Sequence, residues 1–147
     1  MGYIFSKSSL KELDSCHPDL KLIACTALQS SQVDFKITEG HRTRERQNEL
    51  YKEGLTTIDG IKKKGKHNYS PSRAFDIAVV TGSQLSWDRG SLIFLAGVIL
   101  SVGSSLYVTG AVSHKLRWGG NWDGDGIIIK DQNFIDLPHF ELLNVKK

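Results

Sequence analysis

His67, Asp76 and His139 are the residues of this chain whose types suit metal chemistry. The first two stand in KHNYSPSRAFDIAV and the third in DLPHFEL. Two imidazoles and one carboxylate, with a coordination position left open, form the ligand set of a hydrolytic zinc centre. Asp136 lies three residues before His139, which places a candidate general base beside the candidate metal. The chemistry such a set can do is attack of activated water on a carbonyl carbon, with Asp136 accepting the proton and the metal polarising the carbonyl.

Taken singly, each residue has an ordinary reading. Asp76 sits between Phe75 and Ile77, where a bare carboxylate is costly to bury. Either a metal or an arginine such as Arg73 or Arg117 would account for it. His139 alone reads as a satisfied core histidine, and His67, on a polar loop, as an exposed one. Pro138 biases Leu137 toward an extended backbone, so Asp136–His139 reads as a rigid lead-in to a strand. Strict strand alternation would send Asp136 and His139 to opposite faces. For both to face one cleft, a turn or bulge must lie between them.

The elements that must position these residues follow from pattern. KSSLKELD at 7–14 predicts a short helix capped by Ser8 or Ser9, and Pro18 opens a second that runs to about Ser30. VDFKI at 33–37 alternates as a half-buried strand. A polar helix starts at Thr43 and stops at Gly54. Residues 55–73 form a long polar stretch that contains His67, and a loop of that length in a compact domain is usually functional. AFDIAVV at 74–80 is a strand and Ser91–Leu106 a buried helix. Residues 107–112 suggest a short strand or turn, RWGGNWDGDGIIIKDQ at 117–132 a Gly- and Asp-rich loop, and HFELL a closing strand. The fold class is α+β: a small antiparallel sheet carrying the site, flanked by helices.

The 147 residues amount to one domain, with 39% hydrophobic and 24% charged content in the range of soluble globular proteins. A net charge of +3 is too small to argue for nucleic acid, and KKKGK at 62–66 reads as a solvated loop. Cys16 and Cys25 match no metal or redox spacing and read as free thiols of a reducing compartment. The N-terminus lacks the apolar run of a secretory signal, and its match to a myristoylation pattern is short enough to be chance. The apolar run Leu92–Leu100 is too short to span a bilayer, which needs about 20 residues. A monomer with no membrane insertion is expected.

Three segments in order, EGHRTRERQNELYKEG, KHNYSPSRAFDIAV and RWGGNWDGDG followed by DLPHFEL, resemble the zinc peptidases that include D-alanyl-D-alanine carboxypeptidases and phage L-alanyl-D-glutamate endopeptidases. The resemblance covers nearly the whole chain, and its closing segment is similar to the phage endopeptidases. It implies the hedgehog and D-alanyl-D-alanine peptidase type of fold, with His67, Asp76 and His139 binding zinc and Asp136 as the catalytic base. It further implies that Arg42 binds a substrate carboxylate or stabilises the oxyanion, with Gln47 supporting that wall. The ordinary reading of Arg42 is a surface salt bridge to Glu39 or Glu45. Two departures stand out: SPSR lengthens the span between His67 and Asp76, and Gly65 replaces a frequent serine.

The function this implies is an endolysin that cuts the peptidoglycan stem peptide between L-alanine and D-glutamate. It would consist of one catalytic domain, residues 1–147, with no separate cell-wall-binding domain. It would wait in the host cytoplasm and depend on a holin to reach the wall. The alternatives are a D-alanyl-D-alanine carboxypeptidase or dipeptidase on the same site, and a non-catalytic zinc-stabilised binding module. Trp118 and Trp122 flank a Gly pair and are expected to line the substrate groove, with core packing as the ordinary reading of either. Finally, Asn121, Asp123, Asp125, Gly126 and Ile128 fall at the first, third, fifth, sixth and eighth positions of an EF-hand loop, a pattern for Ca2+. Gln132 in place of the closing glutamate weakens it; a glycine-rich turn with solvated aspartates is the ordinary reading.

Overall fold

Ser6 opens the first helix. Its hydroxyl accepts from the Ser9 amide, so α1 (Lys7–Asp14) is capped two or three residues earlier than Ser8 or Ser9 would cap it. In this computed structural model, which describes residues 2–146, α2 (Pro18–Ser30) begins with proline in its first turn. There the ring costs no hydrogen bond. The His17 imidazole caps it by accepting from the Asp19 amide. Leu20, Ile23, Ala24, Ala27 and Leu28 form its buried face.

The first strand, β1 (Phe35–Glu39), starts two residues later than the alternation suggests; Phe35 and Ile37 are buried and Val33 lies outside it. Thr43 caps α3 (Arg44–Lys52), and Gly54 follows with φ +76°, the left-handed conformation that ends helices. Within the long polar stretch the chain forms one 3-10 turn, Lys66–Asn68. β2 (Ala74–Thr81) then turns back at Gly82 into β3 (Gln84–Ser86), a three-residue strand that the sequence pattern does not reveal. Next comes α4 (Arg89–Val108), two residues longer at each end than its apolar run predicts. By length and composition alone α4 is long and apolar enough to cross a membrane. Its Leu92, Leu95, Ala96, Ile99 and Gly103 are nevertheless buried.

Residues 107–112 hold the end of α4 and a turn, the second of the two expected forms, and no strand. The missing strand is β4 (Leu116–Gly119), inside the segment read from sequence as the start of a loop, and β5 (Asp136–Leu142) closes the sheet. The order is β1-β2-β5-β4, all antiparallel, with β3 on β2. Phe75, Ile77, Val79, Trp118, Phe140 and Leu142 point into one core with α1, α2 and α4. Strand parity sends Asp76, Arg117, His139 and Glu141 to the other face. The fold is therefore α+β, with helices covering one side of the sheet and the charged residues gathered on the other.

Candidate metal centre and its cleft

Asp76 pairs with His139 across β2 and β5, so their side chains meet on the face opposite the core. His139 Nδ1 lies 3.1 Å from Asp76 Oδ1, and His67 Nε2 lies 3.3 Å from the same oxygen. His67 reaches it from the 3-10 turn and is buried, not exposed as a polar loop suggests. Its Nδ1 donates to the Gly40 carbonyl at 2.7 Å, which leaves Nε2 as the nitrogen turned toward Asp76. Gly40 is needed for this. A Cβ there would overlap the Glu12 carbonyl and stand 2.6 Å from Ser15 Oγ, forcing apart the turn that presents the carbonyl.

One donor atom from each of His67, Asp76 and His139 lies within 4.8 Å of the others. Two borderline nitrogens and one hard oxygen aimed at a common point suit a divalent transition metal. Without a metal, burial alone would raise the Asp76 pKa, but hydrogen bonds from His139 and His67 hold it well below the usual carboxylate range. Burial alone would lower the His139 pKa; hydrogen bonds to Asp76 and Glu141 raise it to about 10. Neither Arg73 nor Arg117 partners Asp76. The nearest arginine is Arg42, 3.9 Å away.

Asp136 reaches the same cleft because the β4–β5 register jumps. Trp118 pairs with Phe140 and Gly119 with Asp136, so residues 137–139 bulge out. This is the irregularity that alternation required between Asp136 and His139. Burial, then the charge of Asp76, raises the Asp136 pKa. Arg42 forms the opposite wall. It donates to Glu39, as its ordinary reading holds, but it is mostly buried, gives a 2.9 Å hydrogen bond to Gln47 Oε1 and faces the cluster. Gln47 is buried and in turn donates to the Ile58 carbonyl, which anchors the polar loop.

Trp118 does not line the groove. It is 3% exposed and its indole donates to the Leu137 carbonyl, because it shares the core-facing parity of Phe140. Trp122, the other tryptophan expected there, does line the cleft, with its ring 5.5 Å from that of His139. The cleft holds about 770 Å³, room for a short peptide, and Lys63, Lys64 and Lys66 of the basic run lie along its rim. Glu141 is the site residue that sequence reading missed. It is buried, 2.9 Å from His139 Nε2 and 2.8 Å from Arg117 Nη2. The signal was present, since a residue two places after His139 in a strand must share its face.

In the 121–132 loop, Asp123 and Asp125 come together with Asp131 rather than with Gln132. Gln132 turns inward to accept from the Trp122 amide. The Asn121 Oδ1 is buried without a hydrogen-bond partner.

Residues 1–143 match the family model described as phage L-alanyl-D-glutamate peptidase. The chain belongs to that family. It is 27% identical over 127 residues to the L-alanyl-D-glutamate peptidase of Escherichia phage T5, covering 86% of each protein. Its fold is also that of the L-Ala D-Glu endopeptidase ChiX of Serratia marcescens, with a TM-score of 0.74 at 24% identity over 95% of this chain and 90% of that one.

Proposed function

We propose that this protein is a zinc-dependent endopeptidase that cuts the peptidoglycan stem peptide between L-alanine and D-glutamate as a phage or prophage lysis enzyme. The observation that carries the reading is the convergence of His67, Asp76, His139, Asp136 and Arg42 on one cleft in a member of this peptidase family. The residues fit zinc: His67 Nε2, an Asp76 oxygen and His139 Nδ1 would hold it. A bound zinc supplies Lewis acidity to the scissile carbonyl and to the attacking water.

The chain's own residues do the rest. Asp136 accepts the proton of the water as its oxygen adds to the alanine carbonyl carbon. It then delivers that proton to the D-glutamate nitrogen as the C–N bond breaks, giving a carboxylate and an amine. A carboxylate whose pKa is raised by burial is a better base for this task than an exposed one. Arg42, held by Glu39 and Gln47, presents its guanidinium to a substrate carboxylate or to the developing oxyanion. Trp122 offers an apolar wall next to His139. The Asp136 carboxylate has no hydrogen-bond or ion-pair partner among the described residues, which favours this reading over a non-catalytic module, since a structural zinc site is closed and needs no base.

The chain is proposed to act as a monomer with a single catalytic unit, in the host cytoplasm until a holin opens the membrane. A second cation site, for Ca2+, is supported by the three gathered aspartates and the orphaned Asn121 oxygen. Calcium calorimetry on the zinc-restored protein tests it, and absence of heat and of thermal shift ends it. The main reading is tested by a zymogram on purified cell walls. Clearing is expected with zinc and lost with chelator; clearing by thoroughly metal-stripped protein would overturn zinc dependence.

A further inference from the structure

Glu141 is 3% exposed, and an ion buried this far costs several kcal/mol unless its neighbours compensate. Both of its oxygens are occupied. Oε1 lies 2.9 Å from His139 Nε2, and Oε2 accepts from Arg117 Nη2 at 2.8 Å. The sheet enforces this arrangement: His139 and Glu141 are two apart on β5, and Arg117 is the direct cross-strand partner of Glu141 on β4. Arg117 in turn touches the cleft wall, with Nη1 3.4 Å from the Trp122 carbonyl and its guanidinium 5.3 Å from the Trp122 ring, which packs on His139.

The two histidines of the cluster are therefore held differently. His67 donates to a neutral backbone carbonyl, whereas His139 faces an ionised carboxylate that is itself clamped by an arginine. We propose that Glu141, clamped by Arg117, is a positioning residue of the metal centre: it keeps the His139 proton on Nε2, aims Nδ1 at the metal and strengthens it as a donor. Carboxylate–histidine–metal relays of this kind are worth about 10–100-fold in metal affinity. The proposal rests on the zinc reading above.

The test is zinc affinity by chelator competition, which needs no turnover, on wild type, Glu141→Gln and Glu141→Leu. Leucine removes the acceptor and should weaken zinc binding by about 10–100-fold. Glutamine keeps an acceptor oxygen but loses the charge, and should recover part of that loss. Zinc dissociation constants within about 3-fold of wild type for the glutamine and leucine variants would overturn the proposal. Should the leucine variant fail to fold, the glutamine variant and long-range 1H–15N spectra of the zinc-loaded wild type decide. The spectra should show His139 protonated at Nε2 and metal-bound at Nδ1, and the reverse pattern would overturn the assignment. If the wild type binds no zinc at all, the zinc reading fails and this proposal with it. If it binds zinc and both variants match it, this proposal alone fails.

Discussion

Replacing Gly119 by alanine should disable catalysis without emptying the metal site. Gly119 is where the β4–β5 register jumps to pair with Asp136. A Cβ there would overlap the Asp136 carbonyl oxygen and stand 2.8 Å from its carbonyl carbon and 3.0 Å from its Cβ. These are backbone atoms and the root of a side chain, so no rotamer change relieves them. Relief requires moving the Asp136 backbone by about 1 Å, and a misplacement of that size costs roughly 10²-fold in rate. Overpacking should also destabilise the fold by about 1–3 kcal/mol. The proposed metal ligands have other supports: His67 hangs from Gly40, Asp76 is on β2, and His139 is pinned by Asp76 and Glu141. Zinc affinity should therefore stay within a few-fold of wild type. The assay is turnover of a purified muropeptide at saturating zinc, with chelator competition and thermal unfolding on the same preparation. Turnover within about 3-fold of wild type would refute the idea that the bulge aims Asp136, and loss of zinc would show that the bulge supports the ligands instead.

Three further outcomes are expected. Asp136→Ala should keep zinc while lowering turnover by roughly 10²–10⁴-fold; near-normal turnover would remove Asp136 from the base role. Because His139 holds its proton up to about pH 10, zinc must expel that proton, so apparent affinity should rise about tenfold per pH unit around neutrality; a flat profile by chelator competition would contradict this. In the metal-free protein the Asp76–His139 contact should add stability with two limits. The lowered Asp76 pKa contributes above its ordinary 3.8 and is lost as the pH falls below that toward its depressed value. The raised His139 pKa contributes fully below its ordinary 6.5 and is lost as the pH rises toward about 10. Both are in full force between those ordinary values, and denaturant midpoints across pH check the shape.

Much of the site was legible in the sequence because its parts are carried by short, ordered segments. An aspartate in an apolar strand and a histidine beside a proline-led strand already required explanation, and the segment order joined them to His67. The need for a bulge between Asp136 and His139 followed from strand periodicity alone. What escaped was long-range pairing. Read as loop, RWGG has no parity and Trp118 can fall in the groove; once β4 pairs with β5, Trp118 must face the core beside Phe140 and Arg117 must face Glu141. The burial of His67 was equally hidden, since it depends on a carbonyl 27 residues away. β3 is too short to show an alternating pattern.

The most direct measurement is mass spectrometry of defined muropeptides digested by the zinc-loaded protein. A new N-terminal D-glutamate, formed by wild type and nearly absent with Asp136→Ala, is the predicted result. Release of free D-alanine would instead place the enzyme among carboxypeptidases or dipeptidases, and intact substrate would contradict the peptidase reading of the cleft.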